Sequence, residues 1–142
     1  MIKKLMRGGD NKQPIPIKEL SRYFRVPSRG IAVDYPGREI LLASRITNIS
    51  MTGVFVRTRS PFAKGSKVDI AFCLPTAKRA INALCVVRWS TASDPRERPV
   101  GYADIEGMGL EFTRISRRDK AAIELYIQAF LTRMRSPRTA GG

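Results

Sequence analysis

Six short stretches with strand-like alternation, at 30–34, 38–46, 53–58, 67–74, 81–90 and 108–113, constrain this chain more than anything else in it. Turn-forming segments such as YPGR, SPFAKGS and SDPRERP separate them. Strands this short at this spacing argue for an all-β domain, either an antiparallel barrel or a compact sandwich. A single helix then follows. Ser116 is placed as its N-cap with Asp119 three residues on, and Ala122, Ile123, Tyr126, Ile127, Phe130, Leu131 and Met134 recur at helical spacing on one face. That face is expected to close an open mouth or edge of the sheet as a core stripe, with a partner-binding stripe as the alternative.

The outer segments differ in composition. Residues 1–19 carry Gly8, Gly9, Pro14, Pro16 and several lysines with little apolar periodicity, so they are expected to form a basic flexible arm. Residues 136–142, SPRTAGG, are expected to form a flexible tail, which leaves 20–135 as the folded domain. With 142 residues, 43% of them apolar, the chain has enough material for one real core. The longest apolar runs, such as ILLA and IAFCL, are far below the roughly 18 residues that span a bilayer. Met1, Ile2, Lys3 and Lys4 lead into LMRGGD and not into a signal-peptide core, so a cytoplasmic protein with no membrane span is expected. Cys73 and Cys85 both fall in apolar strand-like segments, where reduced cysteines act as small core hydrophobes and no disulfide is expected.

The chemistry open to the chain is narrow. It contains no histidine, which removes the commonest general base and the commonest zinc ligand together. No Gly-x-Ser-x-Gly or Walker-type loop occurs, the acids form no close pair in sequence, and neither cysteine has a histidine to activate it. No enzyme and no metal centre are expected. GMG at 107–109 lacks the spacing of a dinucleotide loop and is taken as a bend or bulge opening the last strand. The 26 Lys and Arg against 12 Asp and Glu give a net charge of +14, a field that draws in phosphates, nucleic acids or acidic surfaces.

Two stretches sharpen that general attraction. SRYFRVPSRG, at 21–30, sets three arginines around two aromatics immediately ahead of the first strand. NISMTGVFV, at 48–56, places Asn48 and Ser50 at alternating positions before Gly53, which permits a positive φ or a close backbone approach. Taken alone the second stretch is a turn. In this order, and ahead of VVRW and GMGLEF, the two resemble the PilZ domain, a bacterial receptor module for the second messenger cyclic di-GMP, with its RxxxR and [D/N]xSxxG signatures. The resemblance runs over about 21–112 and extends to the C-terminal helix.

This resemblance implies a six-stranded antiparallel PilZ-type β-barrel with a C-terminal helix, and a non-catalytic receptor that passes the nucleotide signal to a partner protein. It implies outputs in motility, exopolysaccharide or adhesion control. It assigns Arg25 and either Arg22 or Arg29 to phosphate and guanine, Asn48 to a guanine edge and Ser50 to fixing the ligand, while Gly53 makes room. Arginine suits the role, because its planar fork matches phosphate or guanine O6 and N7 and its flat face stacks on purines. The sequence departs from the pattern at Ser21, which stands four residues before Arg25 where the family has its first arginine. An adaptor of the same fold that binds protein without nucleotide is therefore the alternative. A nucleic-acid binder using Tyr23, Phe24 and Trp89 as stacking platforms is a third option, and nucleic acid is not the expected partner.

Overall fold

A computed structural model describes residues 14–38, 44–93, 96 and 105–135. After a single helical turn, α1 (Ile17–Leu20), come β1 (Val26–Asp34), β2 (Arg45–Ile49), β3 (Gly53–Arg57), β4 (Lys67–Phe72), β5 (Ile81–Ser90), β6 (Gly107–Ile115) and a long helix, α2 (Arg117–Arg135). The six strands close into one barrel in the order β1-β2-β3-β6-β5-β4, and every neighbouring pair is antiparallel. The expected fold class is the one observed.

Alternation along the strands sorts the side chains between lumen and surface. Val54 and Val56 of β3, Ile81, Ala83, Cys85 and Val87 of β5, and Met108 and Leu110 of β6 all join one buried core. Each such valine or isoleucine contributes roughly 1.5–3 kcal/mol by leaving water. Helix α2 covers the barrel with Ile123 and Ile127 fully buried and Ala122, Tyr126, Phe130 and Leu131 packed against the core, so the core-stripe expectation holds for these positions. Met134 does not belong to that stripe, since it is 64% exposed in the last turn.

The start of α2 is pinned from two sides. Ser116 Oγ accepts a hydrogen bond from the Asp119 amide at 3.0 Å, the N-cap bond expected from the sequence. Asp119 in turn accepts from Arg79 Nη1 at 2.6 Å and from the Asn82 amide at 3.1 Å, tying the helix to the start of β5. Burial pushes the Asp119 carboxyl up, but the Asn82 amide, the Arg79 guanidinium and Ser116 outweigh it and hold the group below its ordinary value.

Four other expectations differ from the structure. The second strand is not 38–46: Arg38 sits in the turn after β1, residues 39–43 lie outside the described residues, and β2 begins at Arg45. The first strand starts earlier than residue 30, at Val26. The expected arm ends in the ordered turn α1, while residues 1–13 and 136–142 lie outside the described residues. Cys85 is buried in the core, but Cys73 lies just past β4 and is exposed; both are free thiols. Among the described residues, no helix is long and apolar enough to cross a membrane, and no cluster of acids and cysteines could hold a metal ion.

Candidate functional site

The register across β2, β3, β6 and β5 places Asn48 beside Phe55, Phe55 beside Gly109, and Gly109 beside Trp89. This row is the floor of a groove of about 440 Å³ on the barrel's outer face, bounded also by Arg25, Gly53, Arg88 and Glu111. The glycine is what makes the floor flat. A Cβ on Gly109 would lie 2.0 Å from Trp89 Nε1, so only a residue without a side chain lets the indole cross β6. Trp89 thereby stacks on Phe55 with centroids 5.1 Å apart and planes 16° from parallel. The expected bulge beside GMG is present, but on β5: the register slips between Val87 and Trp89, opposite Gly109.

Arg25 enters from the segment between α1 and β1, and its Nη1 donates to Asn48 Oδ1 at 2.6 Å. The two signature stretches therefore meet in space, 23 residues apart in sequence. Arg25 and Asn48 also border a second lobe of about 360 Å³, lined by Pro27, Thr47, Arg57 and Ile105. Gly53 lies in the first lobe, and the close-approach option for it is the one realised, because a Cβ there would sit 2.0 Å from the Leu110 carbonyl oxygen of β6. At the rim Arg88 and Glu111 form an exposed ion pair.

The remaining expected site residues go elsewhere. Ser50 lies just beyond the end of β2; its hydroxyl accepts from the Thr52 amide at 3.2 Å and donates to the Gly53 carbonyl at 3.4 Å. It shapes the β2–β3 hairpin that presents Gly53, and acts on the groove through that turn. Arg22 is exposed beside α1 and does not line the groove. Arg29 lines a different depression, between β1 and α2. Ser21 is completely buried, with its hydroxyl donating to the Lys18 carbonyl at 2.8 Å.

Phe55, Arg88, Gly109 and Glu111 were not expected in a ligand site, and Trp89 was considered only as a platform for nucleic-acid bases. The available signal was parity. Phe55 and Gly109 are the outward residues between inward neighbours, an assignment that needs only the strand alternation.

A closed six-stranded barrel followed by a C-terminal helix, with an arginine from the segment before β1 bonded to an asparagine on β2, defines a class of small β-barrel domains. The sequence matches the PilZ domain model over residues 19–129, and the chain belongs to the PilZ domain family. A search of curated proteins finds no match. Among solved structures it is similar to the Bacillus subtilis inhibitor of motility MotI/DgrA, with a TM-score of 0.62 and 22% identity, covering 81% of this chain and 51% of that one. This likeness concerns the fold, and the chain spans about half the length of that protein.

Proposed function

We propose that the chain is a non-catalytic receptor for cyclic di-GMP whose occupied groove is read by a partner protein. The observation that carries this is the Arg25–Asn48 contact at the edge of an aromatic floor. An arginine fork for phosphate or guanine, an amide for a guanine edge and a flat indole–phenyl stack are the three kinds of contact a cyclic purine dinucleotide needs. Cyclic di-GMP would exchange one partner of Arg25 for another, so the cation is already positioned. Arg22, exposed three residues before Arg25, is the arginine nearest to it in sequence, while Arg88 and Arg57 already border the two lobes. The motility inhibitor among the structural neighbours makes control of motility the first output to examine, with exopolysaccharide and adhesion beside it.

Calorimetric titration of the protein with cyclic di-GMP tests the proposal. Arg25→Ala should weaken binding by about tenfold to a hundredfold, the loss of a charge-assisted hydrogen bond of roughly 1.5–3 kcal/mol, and Arg29→Ala should leave it unchanged. Loss on Arg29→Ala alone would defeat the assignment. One observation favours a second function, a protein adaptor without nucleotide: the place of the family's first arginine is filled by the buried Ser21. Absence of binding at high micromolar ligand would put that function first.

A further inference from the structure

On another part of the barrel, β1, the loop after β4 and helix α2 enclose a depression of about 780 Å³, larger than either lobe at Arg25. Its floor is apolar: Ile31, Tyr126 and Phe130 line it and are held against the core, with Pro75 alongside. Arg29 and Arg133 border it from β1 and α2, and no acidic residue lines it. Among the described residues neither of these two arginines pairs with a carboxylate. Arg133 acts on Tyr126, whose phenol burial pushes up and the guanidinium pulls back.

We propose that this depression is a docking groove for a partner-protein segment that carries acidic residues on either side of an apolar anchor. Charge complementarity selects the occupant. Two uncompensated guanidinium forks on a chain of net charge +14 favour carboxylates, and the apolar floor between them favours a buried leucine or phenylalanine. A single-stranded nucleic acid would need a continuous track of cations along its backbone, which two arginines flanking an apolar floor do not supply. The inference concerns the partner half of the proposed function and does not rest on nucleotide binding, since Arg29 and Arg133 are absent from the Arg25 groove.

The test uses the full chain without cyclic di-GMP and follows the fluorescence anisotropy of a short labelled peptide alternating Glu with Leu and Phe. Arg29→Glu and Arg133→Glu should each weaken binding by about tenfold or more. Lys67→Glu, an equal change of charge at an exposed position on β4, should change it less than about twofold. A peptide with Ser in place of Leu and Phe should lose most of the affinity. Thermal melts of the charge variants confirm that the barrel remains folded. No binding of the first peptide, equal loss with Lys67→Glu, or equal binding of the serine peptide would each overturn the proposal. So would tighter binding of an oligonucleotide or of anionic vesicles through the same two arginines.

Discussion

Substituting Gly109 tests the aromatic floor directly, because the perturbation can be sized from the structure. An added Cβ would lie 2.0 Å from Trp89 Nε1, 2.5 Å from Cδ1 and 2.8 Å from Cε2. Ordinary carbon contacts begin near 3.5 Å, so in Gly109→Ala the indole must retreat by roughly 1.5 Å or swing away. Either movement breaks the stack on Phe55, worth about 0.5–1.5 kcal/mol, and adds overpacking of roughly 1–3 kcal/mol. The lower chain entropy of alanine returns about 0.5–1 kcal/mol. The expected net loss is therefore about 0.5–4 kcal/mol. Trp89 is the sole tryptophan, so urea unfolding followed by its fluorescence reports both stability and the displaced ring. A double-mutant cycle isolates the contact: in a Trp89→Ala background, Gly109→Ala should be neutral or stabilising. If Gly109→Ala has the parent's midpoint and emission maximum, or costs the same with and without the indole, the glycine does not hold the floor open.

Other variants probe the frame around the site. The Asp119 carboxyl lies below its ordinary value of 3.8, so its contribution is present above the unfolded value and is lost as pH falls through the folded one. Asp119→Asn should flatten the acid limb of stability in urea melts taken from neutral pH down to about pH 3; an unchanged acid limb would refute the linkage. Burial, with the Asp69 charge, pushes the Cys85 thiol up to about 12, so a thiol reagent at neutral pH should titrate only Cys73 until denaturant is added. Ser21→Arg should destabilise the protein by several kcal/mol and not improve cyclic di-GMP binding, since the position is fully buried and its hydroxyl holds the Lys18 carbonyl. A stable Ser21→Arg variant with tighter binding would show that α1 opens to release this position.

The barrel was legible because β4 and β5 alternate cleanly and α2 carries a strong helical stripe. Strand β2 was misplaced because the apolar run ILLA drew the expected strand toward the N-terminus, while pairing with β1 and β3 fixes it over the polar-flanked RITNI. Cys73 looked like Cys85 in composition; only the end of β4 at Phe72 separates them. Asn48, Gly53 and Arg25 were legible as a motif, and the structure brings all three to one groove. The aromatic floor was not legible as a unit. Phe55 and Trp89 sit on strands that never pair with each other, and they meet only because β6 lies between them with a glycine at the crossing.

Arg29 shows how a spacing can mislead when the backbone is irregular. In an unbroken strand, residues four apart share a face, so Arg25 and Arg29 would point to one ligand. Here Arg25 precedes β1, and the β1–β2 register slips between Pro27 and Ile31. Gly30 adopts a φ of +82°, a conformation that L side chains rarely take, and its carbonyl accepts from Arg45 Nη1 at 2.9 Å. A bulge of this kind bends the strand and re-aims the side chains on either side of it. Arg25 is left at Asn48 and Arg29 beside α2, with Pro27 bordering both the second lobe at Arg25 and the α2 depression. One short segment thus touches both grooves, and tightening it at Arg25 would shift the edge of the surface on which Arg29 stands. Under the proposed function, a ligand held at Arg25 would act on partner docking through this segment, which borders both depressions at Pro27.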